Sequence, residues 1–332
     1  MSLKTLRKPL AAALLALSIV PAFASETILN VSYDVTRELY KQINPAFVSH
    51  LQSSQNKAVT VNQSHGGSTR QSQAVAAGLA ADVVTMNQSP DIDALVRAKV
   101  VSPNWREQFP HEAAPYTTTT VFIVRKGNPK NIKDWSDLVR SDVRLVIPNP
   151  KTSGNGRYTY LAAWGYTLKK GGNEAGAKQF VKKLFDNVPV LDGGGRGATT
   201  TFAQRGIGDA LVTFENEAGL LIREFGSDKF EVVYPTISIE AAAPVAIVNR
   251  VVDKRKTRPI AKSYLDFLFS PAGQEIIAQQ DFRPRDPTVF AKHAAKFPRI
   301  TTFTVEDFLG GWDKVQREHF ADGALYDQLF KR

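Results

Sequence analysis

Residues 149–158, Asn-Pro-Lys-Thr-Ser-Gly-Asn-Gly-Arg-Tyr, constrain this chain more than any other stretch. They follow an apolar alternating run at 143–147 that reads as a strand, and they precede a helical body at 160–164. A strand, a tight loop of small residues and a helix start gather several backbone N–H groups around one point. The first turn of a helix offers those groups no internal acceptor, and its dipole favours negative charge. The stretch therefore predicts an anion cradle. The plainer alternative is an ordinary strand-to-helix turn with Ser153 as its N-cap.

Residues 192–200, Asp-Gly-Gly-Gly-Arg-Gly-Ala-Thr-Thr, repeat the design between a strand-like 188–191 and a helix start near 202. Neither loop ends in Gly-Lys-Ser/Thr, and neither shows a full G-x-G-x-x-G with a partnering acid. A nucleotide P-loop and a dinucleotide fingerprint are thereby excluded.

The first 24 residues read as a cleavable secretory leader. Lys4, Arg7 and Lys8 form a basic start, residues 10–20 an apolar core too short to span a bilayer, and Ala22-Phe23-Ala24 a cleavage site. The leader predicts export to the periplasm. The chain has no cysteine, so no disulfide contributes to its stability. The formal charge is +10, three of which lie in the leader, and the remaining basic residues are scattered without an aromatic-laced stripe. That distribution argues against a nucleic-acid partner and for a solvated surface with some long-range attraction of anions.

Beyond the leader, strand and helix patterns alternate. Residues 27–32, 58–62 and 81–85 read as strands, with helices from Asp34 through 43 and over 69–79; residues 115–124 and 232–248 are long β runs. Such alternation predicts open α/β sheets covered by helices on both faces. The breaks near 115 and 240 read as crossings between two units, one built from 25–115 and 241–332, the other from 116–240. Helical patterns at 262–269, 273–280, 305–308 and 311–319 are expected to close the first. Four loops, at 32–34, 66–68, 153–155 and 197–199, then lie at strand C-terminal ends, where ligands bind in open α/β sheets. Two loops come from each unit, so an anion would sit in the cleft between them.

Residues 32–40, 63–68, 124–130, 149–155, 195–202 and 205–209, together with 270–274 and 308–312, resemble the periplasmic sulfate- and thiosulfate-binding proteins of ABC importers. The resemblance covers essentially the whole chain after the leader. It implies a type II periplasmic binding protein fold, two open α/β domains joined by a hinge with the ligand between them. It implies a monomer that holds sulfate or thiosulfate, works with a membrane permease and ATPase, uses no cofactor and catalyses nothing. It further implies that the dianion is held without a counter-charge, by the N–H groups of Asp34, Ser68, Gly154, Asn155 and Ala198 and by the N–H and hydroxyl of Ser153. The Asp34 carboxylate is expected to turn away, as an N-cap or toward Arg37. Phe214 stands where sulfate-selective members carry a tryptophan indole donor; thiosulfate-associated members resemble this chain in having phenylalanine there. An apolar ring edge suits a terminal sulfur, a poorer acceptor than oxygen; alternatively Phe214 is a wall residue whose missing donor is replaced by water or Thr213.

Other residues have bland readings. His65-Gly-Gly-Ser resembles an esterase oxyanion loop, but no G-x-S-x-G elbow exists and His65 reads as a loop-packing residue. The five histidines (50, 65, 111, 293, 319) lack metal-ligand spacing. Tyr33 and Tyr116 lack the carboxylate and histidine companions of a ferric site, and the four tryptophans read as packing anchors. No nucleophile–base pair supports a hydrolase. Phosphate and molybdate remain as alternative ligands, the first requiring a buried acceptor for its proton and the second a wider cradle.

Overall fold

A computed structural model of the protein describes residues 26–330, so the leader lies outside the described residues. The strands are β1 (Glu26–Tyr33), β2 (Val59–Gly66), β3 (Val83–Thr85), β4 (Tyr116–Arg125), β5 (Leu145–Pro148), β6 (Val190–Asp192), β7 (Ala210–Phe214), β8 (Phe230–Val233), β9 (Ile237–Ala242), β10 (Val245–Ile247), β11 (Arg283–Pro284) and β12 (Thr301–Phe303). They form two sheets. The smaller has the order β10-β3-β1-β2, and the larger β12-β9-β4-β7-β5-β6, with β8 and β11 also pairing to β4.

In the smaller sheet β1 is central and parallel to both β2 and β3, while β10 joins antiparallel. Helices cover both faces, so β1 is buried continuously from Asn30 to Tyr33 rather than alternately. After β1 the chain makes a short 3-10 turn, Asp34–Thr36, before the helix Arg37–Gln55. That helix buries Leu39, Ile43, Phe47 and Leu51, one residue per turn on one face, and stops where Asn56 turns left-handed at φ 50°.

In the larger sheet β5 is parallel to β6 and β7, and the ten-residue β4 runs antiparallel to β7, β8 and β9. The β run expected at 232–248 is three strands, because a turn after Val233 separates β8 from β9 within the larger sheet and a turn after Ala242 carries the chain to β10 in the smaller one. The helix Gly154–Lys169 is buried from Gly154 through Tyr166 on every side.

That all-round burial calls for a cover that the C-terminal segment supplies. From β11 onward the chain joins the larger sheet, β11 pairing with β4 and β12 with β9, while the helix Trp312–Val315 also meets the helix Ser89–Arg97 beside the smaller sheet. Trp312 packs on Tyr158, and His319, Phe320 and Tyr326 pack on Tyr160. The helix Gly154–Lys169 has no polar face, so something must cover its outer side, and the C-terminal segment does. Phe303, Val305, Val315 and Phe320 are each at most 5 % exposed. At roughly 1.5–3 kcal/mol apiece their burial rivals the whole stability of a domain. The segment is core, not tail.

Candidate functional site

Three helices aim their N-termini at one cleft between the sheets. The helix Ser68–Ala76 follows β2, Gly154–Lys169 follows β5, and Gly195–Ala203 follows β6. Their first internal hydrogen bonds run from Gln71 to Gly67, from Arg157 to Ser153, and from Ala198 to Gly194. The N–H groups of the three residues preceding each of those donors therefore have no helical acceptor. Asp34, at the end of β1, closes the remaining side.

The cleft is shut. The Arg196 N–H donates to the Asp34 carboxylate across it at 3.3 Å. A Cβ on Gly67 would stand 2.7 Å from the Thr152 carbonyl oxygen on the opposite wall, and one on Gly194 would collide with the Asp34 carboxylate. Only hydrogen fits at either point. Exposed Arg70 stands at the mouth beside Gly193.

The structure brings most of the expected residues together and corrects some of their roles. Ser68 is buried as the first helical residue, and its hydroxyl accepts the Asn87 N–H at 3.3 Å. Gly154 and Asn155 are the first two residues of their helix, with N–H groups free of helical partners. The Asn155 side chain donates to Thr213 Oγ1 at 2.8 Å and fixes that turn against β7. Ser153 is the N-cap, yet its side chain does not cap the helix, which leaves the hydroxyl for the cleft. Its N–H was expected to face a ligand; it donates instead to the Asn149 carbonyl at 2.9 Å, closing the turn after β5.

Ala198 is the clearest correction. Its N–H is held by the Gly194 carbonyl at 3.1 Å and its methyl is fully buried in the core with Val121, Val146 and Leu211. The helix begins one turn earlier than the glycine run suggests, so Gly195 occupies the donor position. Tyr33, not Asp34, holds the N-cap position of the 3-10 turn; the Asp34 carboxylate crosses the cleft to the Arg196 N–H. Burial raises this carboxyl above the usual range, opposed by the Arg196 N–H and then by Arg37.

Phe214 ends β7, is fully buried, and meets Tyr158 edge-on at 5.7 Å. Its ring is part of the wall behind the cradle. His65 packs as expected, stacked on Tyr40, with Nδ1 2.6 Å from the Ser32 hydroxyl and its pKa lowered to about 4 by burial foremost.

Charge around the cradle is committed elsewhere. The buried Arg157 guanidinium donates to the Pro150 carbonyl and to Gln316 and lies over the Phe320 ring. Arg196 reaches Glu224 at 2.8 Å. Glu217, fully buried behind the Gly195 turn, accepts from Thr199 Oγ1 at 2.8 Å, and its other oxygen has no partner among the described residues. Burial raises its pKa to about 7, with Thr199 and Arg196 opposing and Asp34 adding to the rise. What faces the cleft is mainly backbone dipole plus hydroxyl, a set suited to an anion made only of acceptors.

A family model described as bacterial extracellular solute-binding protein matches residues 28–283. The chain belongs to that family. This solute-binding protein is 54% identical over 310 residues to the thiosulfate-binding protein of Pseudomonas aeruginosa, covering 93% of each chain. It is 50% identical over 306 residues to the sulfate-binding protein of Salmonella typhimurium, covering 92% of this chain and 93% of that one. Among solved structures, the sulfate-binding protein SubI from Mycobacterium tuberculosis superposes with a TM-score of 0.81 at 34% identity, covering 89% of this chain and 99% of SubI. A periplasmic thiamin-binding protein shares the fold at a TM-score of 0.67 and 17% identity. The solute-binding protein thus has the two-unit α/β architecture that its sequence implies. Among its described residues no helix is long and apolar enough to cross a membrane.

Proposed function

We propose that this protein is a periplasmic receptor that captures sulfate and thiosulfate in the cleft and delivers them to an ABC importer, without chemical turnover. The observation that carries the reading is the convergence of three helix N-termini and the uncapped Ser153 hydroxyl on one closed cleft. Asp34, Ser68, Gly154, Asn155 and Gly195 contribute N–H groups, Ser153 its hydroxyl, and Phe214 the apolar wall. The names of the relatives at 50–54% identity support both ligands.

The proposed mechanism needs no counter-ion. A desolvated dianion is stabilised by several charge-assisted hydrogen bonds from dipoles already held in place. Donors come from both units, so the open arrangement cannot satisfy the anion, and binding favours closure. Calorimetry on ligand-stripped protein tests this: sulfate and thiosulfate bind one per chain, and hydrogen phosphate binds far more weakly. The phosphate O–H would face donors, and an unpaired polar group costs roughly 1–3 kcal/mol. Equal affinity for phosphate would reject the all-donor cleft.

A further inference from the structure

The loop after β3, Met86-Asn87-Gln88, also reaches the cradle. It is held at each of its residues. The Met86 N–H donates to the Pro244 carbonyl at 2.9 Å, the Asn87 N–H to the Ser68 hydroxyl at 3.3 Å, and the Gln88 side-chain amide to the Asp91 carboxylate at 2.8 Å. The loop belongs to the smaller sheet, and the Asn87 carboxamide crosses to the other wall. A Cβ on Gly154 would overlap that carboxamide, so only glycine fits beneath it. Asn87 therefore stands between Ser68 and Gly154, the first residues of two of the three converging helices.

The carboxamide has no hydrogen-bonding part in the fold. Asn87 is 5 % exposed, and its Oδ1 is buried without a partner among the described residues. Ser68 satisfies its main-chain N–H, and no side-chain hydrogen bond holds it among the described residues. Asn155, the other amide at the cradle, differs: the bond from its Nδ2 to Thr213 fixes its orientation. Nearly every buried polar group in a folded protein finds a partner, and one left unsatisfied is costly. A carboxamide has an acceptor at one end and two donors at the other, and a half-turn about its last side-chain bond exchanges them. Asn87 thus combines a firmly anchored backbone with a side chain that is free to turn, at the point where helix N–H groups converge.

We infer that the Asn87 carboxamide is a further ligand-contacting group, which turns Nδ2 toward the bound anion and donates to it from the smaller sheet, as the Ser153 hydroxyl does from the larger. The assignment rests on the receptor reading above. Such a donor suits sulfate and thiosulfate, which present acceptors only, and a side chain then supplies what the Phe214 ring cannot. It also makes residue 87 a determinant of which oxyanion the cleft takes. A carboxylate of the same shape at this point would repel either dianion, yet would accept the O–H of hydrogen phosphate.

Calorimetry on ligand-stripped Asn87→Ala and Asn87→Asp at pH 8 tests the contact, with sulfate and thiosulfate titrated directly and phosphate by displacement. A thermal melt establishes that each ligand-free variant is folded. Asn87→Ala keeps the main-chain bond to Ser68, and sulfate should weaken about tenfold or more. Asn87→Asp should weaken sulfate and thiosulfate roughly a hundredfold or more and phosphate much less, so that the sulfate-to-phosphate affinity ratio falls at least tenfold. A residue that only shapes the loop would weaken all three anions alike. Wild-type sulfate affinity in Asn87→Ala, or an unchanged sulfate-to-phosphate ratio in folded Asn87→Asp, overturns the contact while the receptor reading stands. If Asn87→Asp does not fold, Asn87→Ala decides alone. Parent protein that binds neither sulfate nor thiosulfate overturns the receptor reading, and this contact with it.

Discussion

Gly67→Ala isolates closure from folding. Gly67 lies at φ −55°, ψ 133°, a conformation alanine adopts without strain, so the smaller sheet and its helices should be unaffected. The new methyl would nevertheless stand 2.7 Å from the Thr152 carbonyl, where ordinary contact begins at 3.4 Å. The walls must separate by about 0.7 Å at that point, the difference between those two distances. A cross-cleft hydrogen bond of 3.3 Å, such as Arg196 to Asp34, then passes beyond bonding distance. An anion gripped from both sides loses the donors of one wall. Two bonds to a charged acceptor at about 1.5–3 kcal/mol each give 3–6 kcal/mol, and local adjustment of the 149–153 turn takes the answer toward the lower figure. Sulfate affinity should therefore fall roughly a hundredfold or more, while the melting temperature of ligand-free protein stays put. Calorimetry and a thermal melt check both halves. Wild-type affinity, or a ligand-free protein destabilised by the same amount, would refute the wedge.

Three other outcomes are expected. Ser153→Ala should weaken sulfate binding by about 1.5–3 kcal/mol in the same titration, whereas Asp34→Asn, which keeps an acceptor for the Arg196 N–H, should cost under about 1 kcal/mol. Phe214→Trp should shift competition binding from thiosulfate toward sulfate by adding an indole donor; an unchanged ratio means the ring does not meet the ligand. Glu217 has a folded pKa raised to about 7, so the protonated form favours the fold, and that stability is present below the unfolded value near 4.5 and lost as pH rises through 7. Glu217→Gln should remove the loss, making the variant more stable than the parent at pH 8 by up to about 3 kcal/mol and nearly equal at pH 4.5, read from denaturant midpoints.

The cradle was legible where chemistry shows in spacing. A small-residue loop between a strand run and a helix run has few uses, and residues 149–158 take the expected form, with β5 before them and the helix Gly154–Lys169 after. The donor at 198 was misread because three successive glycines carry no start signal: glycine is a poor helix former, so propensity delays the helix to Ala198. The chain accepts glycine at 194 because Asp34 approaches from the other wall, a contact more than 150 positions distant that no local pattern reveals. The N–H of Ser153 was likewise consumed by a turn to Asn149 that the small residues permit but do not announce. The return of residues 301–330 to the larger sheet was hidden for a related reason. An amphipathic stretch shows that it has a buried face, not which surface receives it.

That return has a bearing on how the molecule comes into being. β9 must wait for β12, and the outer face of the helix that carries Ser153 stays bare until Phe320 and Tyr326 have been synthesised. Neither lobe is a continuous stretch of chain, so neither can finish while the other is still being made. Contacts this distant in sequence close large loops and form late. The ribosome releases the residues that seal the receptor well after all four anion loops, and until then a nascent chain has those loops in sequence but no rigid platform on which to hold them.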